Sequence, residues 1–371
     1  MQATVRLINK IVEGLCPPVM AEEWDNCGLQ AGDPEAPVHS VLLTLDLDGE
    51  VLAEARSKGA GLVITHHPLI LKGVRQIRED RPQGRLLAKI IRSGIAIYAA
   101  HTNLDSASGG VNDALARRLG LSGVRLLRPG REKYLKLVVF VPAGHAGAVR
   151  QAVAGSGAGW IGNYSECAFM TRGTGSFRPL EGTSPYIGRV GDLEEVEEIR
   201  LETIVPESLS GRVVTAMLAA HPYEEVAYDL YPLENRPKNS GLGRVGDLRE
   251  GVPLGQFTLM VKEALGLKAV RAGGPSEGMV SRVAVCGGSG SDLWPLALAC
   301  GAQVLVTGDV GYHAARDMLA AGLCFIDAGH YGTERVILDP LADYLKARCR
   351  EKGLDVRILV SEVNGDPFDY A

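Results

Sequence analysis

The chain has 371 residues, 46% hydrophobic and 22% charged, with Lys+Arg 39 against Asp+Glu 44 for a formal net charge of -5. That is globular composition for two or three domains of roughly 150 residues each, and it excludes a disordered chain and a generally basic nucleic-acid binder. No apolar run approaches the ~18 residues of a membrane span, and the seven Cys form no CxxC pair, so a reducing cytoplasm is expected and a disulfide scaffold or zinc ribbon is not.

In residues 1–15, Val5, Ile8, Ile11, Val12 and Leu15 fall on one helical face, the mark of an amphipathic helix and not of a signal peptide. Strands are expected at 40–45, 61–65 and 95–100, and helices at 49–58, 84–92 and 110–119, the last closed by Gly120. This alternation predicts an α/β fold with a mostly parallel sheet. The pattern changes after a break at 128–130. There a strand at 136–141, a helix at 144–153, a Gly-rich stretch, two β-like runs, a strand at 198–205, a helix at 210–220 and a strand at 225–230 follow, close to a ferredoxin-like β-α-β-β-α-β order. Residues 234–240 read as a linker.

The α/β pattern then returns, with helices expected at 257–265, 293–300, 312–321 and 333–349 and strands at 281–286, 303–307, 323–327 and 355–360. The economical reading is one α/β domain, residues 1–127 and 238–371, split by an inserted α+β domain at 128–237. The hexapeptide GRVGDL occurs at 188–193 and again at 243–248, either by chance or because both copies make similar turns.

Of the eight His, those that follow predicted strands carry the chemistry. His66 and His67 follow 61–65. His101 follows 95–100, with Asp105 four residues on; His313 follows 303–307, with Asp309 between; His330 follows 323–327, with Glu334 four residues later. Parallel sheets bind ligands outside the carboxyl ends of their strands, so these side chains point at one crevice. Any one of them alone reads as a structural histidine, and packing does not account for the set. Imidazole with carboxylate suits Zn, Fe, Mn, Co or Ni. His330 and Glu334, at i and i+4, share a helix face. His66 and His67 reach one site only if their strand has ended, which Pro68 favours. Five or more ligands exceed the roughly three of an open catalytic zinc. Two metals about 3.5–4 Å apart, bridged by a carboxylate, fit better.

The turn at Gly287–Gly290 offers backbone N–H groups to a phosphate or is a tight strand-to-helix turn. His221, Glu224 and Glu225, in HPYEE, read as a structural or interface feature, and His39 and His145 as solvated.

WDNCGLQ at 24–30, ITHHPLI at 64–70, HTNLDSASGGVNDALARRLG at 101–120, VAVCGGSGSDL at 283–293, TGDVGYHAA at 307–315 and DAGHYGTE at 327–334 resemble the Nif-three-like dinuclear-metal family, whose bacterial members are named GTP cyclohydrolase I type 2 homologues. GAGWIGNYSECAF at 157–169, GSFRPL at 175–180 and HPYEEVAYDLYPL at 221–233 resemble the PII/CutA-like insert of its longer bacterial members. The resemblance implies two divalent cations per chain. His66 and His67 would ligate one each, Asp105 one of them and His330 the other, with Glu334 bridging. It places His101 in the lining of the site, either supporting the ligands or as an acid/base group, and His313 within reach of substrate or bridging water, so that one or the other moves protons. It also implies a cytoplasmic homohexameric toroid.

The function expected is metal-dependent hydrolysis by a hydroxide bridging two metals, on GTP as purine ring opening or on another nucleotide or phosphoester. The alternative is a non-catalytic metal- and ligand-binding regulator. No GxxxxGK[ST] loop is present, and the net charge of -5 disfavours a nucleic-acid ring.

Overall fold

The N-terminal apolar stripe folds as the helix Val5–Glu13, begun by Thr4, whose hydroxyl accepts from Leu7 N–H at 3.3 Å. Val5, Ile8, Ile11 and Val12 are buried and pack with Val41, Leu43, Ile64 and Tyr98 of a sheet and with Leu341 and Leu345 of the helix Leu338–Glu351. The computed structural model describes residues 2–130, 132–162, 164–235 and 240–369. The chain divides into two units, Met1–Gly130 with Lys238–Ala371, and Arg131–Pro237.

The first unit has two mixed sheets where the sequence pattern suggested one. The five-stranded sheet runs Gly28–Ala31, Ala96–Ala99, Leu62–Thr65, Ser40–Thr44, Arg357–Val360, parallel throughout except for its Gly28–Ala31 edge. Its three inner strands are buried on both faces, which is why they read as continuous apolar runs. The six-stranded sheet runs Arg271–Gly273, Cys324–Asp327, Val304–Thr307, Met279–Val285, Gly241–Pro253, Ser122–Pro129. Its parallel centre is Cys324–Asp327, Val304–Thr307 and Met279–Val285; the outer strands pair antiparallel.

The strands that the pattern did not reveal are Gly28–Ala31, Ser122–Pro129, Gly241–Pro253 and Arg271–Gly273, all of them antiparallel. Gly28–Ala31 and Arg271–Gly273 are only four and three residues long, and Ser122–Pro129 and Gly241–Pro253 interrupt their apolar residues with Gly and charged residues, so none contains an apolar run to mark it. The second GRVGDL lies inside Gly241–Pro253, whereas the first lies in the connection before Glu194–Pro206, so the copies do not make similar turns. The helix expected over 333–349 is two: His330–Glu334, and Leu338–Glu351 after a 3-10 turn. Pro340, which cannot donate a backbone hydrogen bond, is accommodated in the first turn of the second.

The second unit runs β-α-β-β-α-β. Its antiparallel sheet has the order Ala168–Phe177, Glu194–Pro206, Tyr134–Pro142, Tyr228–Leu233. The helices Ala146–Gly155 and Ser210–Ala220 supply Val149, Val153, Val213 and Met217 to a core shared with Leu137, Val139, Val141, Leu201 and Val205. Among the described residues no helix is long and apolar enough to cross a membrane.

Candidate metal centre

The parallel strands of both sheets in the first unit end at one cluster. Leu62–Thr65 delivers His66 and His67, and Ala96–Ala99 delivers His101. Cys324–Asp327 leads through Gly329 into the short helix that begins at His330 and ends at Glu334. Asp105 lies on the helix Thr102–Ser106. The structure brings five sequence-predicted residues together as two donor groups, His67–His330–Glu334 and His66–Asp105–Glu334, with donor atoms in each within 4.8 Å of one another. Glu334 belongs to both. His101 forms a third group with His66 and His67.

The imidazoles are held by the nitrogen that faces away from the cluster. His66 Nδ1 lies 2.8 Å from the Ala100 carbonyl, an acceptor only, so Nδ1 carries the hydrogen. His67 Nδ1 lies 2.9 Å from Asp46 Oδ1, and His330 Nδ1 lies 2.6 Å from Asp309 Oδ2. In the neutral rings each Nε2 is therefore a bare lone pair aimed inward. His67 Nε2 and His330 Nε2 are 3.2 Å apart. They lie 3.0 Å from Glu334 Oε2 and 3.1 Å from Glu334 Oε1 respectively. His66 Nε2 is 3.6 Å from both Asp105 Oδ1 and Glu334 Oε1. His66 Nε2, Asp105 Oδ1 and Glu334 Oε2 are buried without a hydrogen bond. Acceptors facing acceptors in a buried space call for cations, and nitrogen with carboxylate oxygen is a donor set that divalent transition metals take.

Without metal, protons meet that need. Burial alone would lower the His67 pKa, yet the Asp46 and Glu334 carboxylates push it up to about 10. The Glu334 carboxylate raises His330 to about 9 against the effect of burial. Burial would raise Glu334, but the charge of His66 and the imidazoles of His330 and His67 hold it well below the usual carboxylate range. Burial lifts Asp105 to about 6, with His66 opposing and Glu334 adding to the rise.

His101 is placed differently. Its Nδ1 lies 2.9 Å from Asp25 Oδ1, leaving Nε2 toward the cluster. Asp25 Oδ2 also accepts from Thr102 N–H at 3.0 Å, the Thr102 hydroxyl at 2.5 Å and Cys27 Sγ at 3.0 Å. Burial would raise Asp25; the hydrogen bonds from His101, Thr102 and Cys27 outweigh it and hold the carboxyl well below its ordinary value. Trp24, 60% exposed, lies edge-on to His101 with ring centroids 5.8 Å apart. His313 is exposed on the helix Tyr312–Ala320, with its ring against Tyr312, and is in none of the donor groups found among the described residues.

The Gly287–Gly290 turn serves the cluster by leaving space. A Cβ on Gly288, whose φ is +63°, would stand 2.2 Å from Glu334 Oε1 and 3.2 Å from His330 Nε2. Three of its four N–H groups are engaged by side chains: Gly287 by Asn112, Gly288 by Thr333 and Gly290 by Thr307, each at 3.0 Å. Buried Asn112 also donates to the Asp105 carbonyl at 3.0 Å and so ties the turn to Asp105.

Asp25, Asp46 and Asp309 are site residues that sequence reasoning did not assign. Asp46 and Asp309 had a signal: each lies just past the end of a parallel strand, Ser40–Thr44 and Val304–Thr307. Asp309 adopts φ 55°, in the left-handed region that Asp tolerates better than most residues.

Comparison with known proteins shows the family of the chain. The profile of a family described as Duf34/NIF3 (NGG1p interacting factor 3) matches residues 3–367. A Bacillus subtilis protein named GTP cyclohydrolase 1 type 2 homolog is 45% identical over 364 residues, which cover 98% of this chain and 97% of that protein. Among solved structures, a Bacillus cereus protein related to NIF3 aligns over 100% of both chains at 44% identity and TM-score 0.89. A Staphylococcus aureus protein covers 100% of this chain and 99% of its own at 29% identity and TM-score 0.82.

Proposed function

Because the chain belongs to the Duf34/NIF3 family, we propose that its crevice holds two divalent cations and that it is a metal-dependent hydrolase. One cation would lie among His67, His330 and Glu334, the other among His66, Asp105 and Glu334. The observation that carries this reading is the buried Glu334 carboxylate, common to both donor groups. When bound, such a pair supplies the positive charge that acidifies water and polarises a substrate oxygen.

The chain's own residues do the remainder. Asp46, Asp309 and the Ala100 carbonyl fix which nitrogen of each ligating imidazole is bare. His101, oriented through Nδ1 by Asp25, gives and takes a proton at Nε2. His313 has no part in this scheme. The relatives' name supports GTP as the first substrate to test, with its purine ring opened by water and formate released.

The test uses protein stripped with chelator and reloaded with Zn, Mn, Co or Fe, assayed for formate release from GTP and for hydrolysis of other nucleotides and phosphoesters. The reading expects turnover only after reloading and none from Glu334→Ala. It expects His101→Asn to keep its metal and lose about 10²–10⁴-fold in rate. Full turnover by stripped protein, or by Glu334→Ala, would overturn it. Stoichiometric nucleotide binding without turnover would favour a regulatory protein instead.

A further inference from the structure

The second unit contains a cavity of about 560 Å³ that the metal chemistry does not use. Its walls include residues of GSFRPL and HPYEE, stretches without a role so far. Four aromatic rings line it: Phe140, which has the Arg200 guanidinium 5.9 Å over its ring, and Phe177, Tyr186 and Tyr223, which stand together. The Tyr223 centroid is 5.9 Å from Phe177 at an interplanar angle of 61°, and 6.2 Å from Tyr186 at 50°. At its base lies Glu198, 7% exposed, whose Oε1 accepts from the Tyr223 hydroxyl at 3.0 Å. Gly175 leaves room for this carboxylate, since a Cβ there would stand 2.2 Å from Glu198 Oε2. The walls are also fastened. His145 Nε2 is 3.0 Å from the Tyr186 hydroxyl, and Ser184 N–H donates to Glu224 at 2.9 Å.

The charges around the cavity favour one kind of ligand. Arg172 and Arg200 line it, but they are bound to Glu197 at 3.1 Å and Glu202 at 2.8 Å, carboxylates that do not line it. Arg178 donates to the Gly191 carbonyl. Glu198 has a neutral hydroxyl as its partner, and among the described residues no ion pair reaches it. A buried carboxylate flanked by aromatic faces complements a cationic nitrogen on a flat apolar body: the carboxylate pairs with the charge, and the rings attract it through their faces.

We propose that this cavity is a second ligand site, independent of the metal centre, that takes a planar organic cation of the amidinium or ammonium class. Benzamidinium is the probe, with benzoate and benzyl alcohol as anionic and neutral counterparts of similar size. Titration calorimetry on the full, metal-loaded chain should show saturable benzamidinium binding at one site and no binding of benzoate. Glu198→Gln should weaken binding about tenfold or more, the loss of one charged hydrogen bond. Gly173→Leu tests the location separately. Gly173 lines the cavity and a Cβ there meets no atom within 4 Å, so a side chain fits the fold but fills the ligand's space. It should abolish binding while Tm and metal content stay unchanged. Absence of benzamidinium binding, equal binding of benzoate, or undiminished binding by a folded Gly173→Leu protein would overturn the proposal.

Discussion

The imidazoles of the crevice divide their two nitrogens between structure and chemistry. For His67 and His330 the structural partner is a carboxylate 21 residues earlier in the chain, Asp46 and Asp309. Removing the charge of either should leave the ligand in place but less basic and less firmly oriented. Asp46→Asn and Asp309→Asn are each expected to weaken metal binding about 10–100-fold, measured by competition with a chromophoric chelator. Unchanged affinity would mean that those hydrogen bonds only decorate the site. The raised histidines also set a pH dependence. His67 and His330 move from an ordinary 6.5 to about 10 and about 9 in the folded chain. Their contribution to stability is thus complete below about 6.5 and is lost as pH rises through 9 to 10. The stripped protein should therefore melt at a lower temperature at pH 9 than at pH 6.5. Metal competes with those same protons, so the rise in Tm on adding metal should grow with pH over this window. The residues that form the donor groups were legible in the sequence because each comes just after an apolar strand or on the first turn that follows. Asp25 was not, because its partner His101 lies 76 residues away and no local pattern links them.

At the scale of elements, what was legible depended on burial. Strands buried on both faces, such as Leu62–Thr65 and Val304–Thr307, spell themselves out in apolar residues. Gly241–Pro253 carries Arg244, Asp247, Arg249 and Glu250 and becomes a strand through its pairing with Ser122–Pro129 and Met279–Val285. The glycines of the turn after Met279–Val285 stand out in the sequence, but the purpose of Gly288 depends on a side chain 46 residues later, Glu334. Gly288→Ala puts a methyl group against Glu334 Oε1 in a backbone conformation costing of order 1–3 kcal/mol for other residues. The expected result is a lower Tm together with reduced metal content by elemental analysis. Normal metal content in that variant would show that Glu334 need not occupy the position seen here.

At the scale of the whole molecule, the second unit leaves the first from the end of a strand pair. Pro129 lies opposite Gly241, and Gly130 N–H donates to the Ser240 carbonyl at 2.8 Å. A two-residue Asn-Gly turn in place of residues 131–239 should therefore close a hairpin. Since His66, His67, Asp105, His330 and Glu334 all belong to the first unit, the shortened chain is expected to retain its metal and lose benzamidinium binding. Retained benzamidinium binding would contradict the assignment of that site to the second unit.

The measurement that bears most directly on the central claim is metal content per chain, by elemental analysis of untagged protein purified without chelator, with Glu334→Ala alongside. The shared carboxylate predicts about two transition-metal ions per chain in the parent and loss of both in the variant, because neither donor group is complete without it. A parent protein that binds no metal even after reconstitution, or a variant that keeps both ions, would contradict the account.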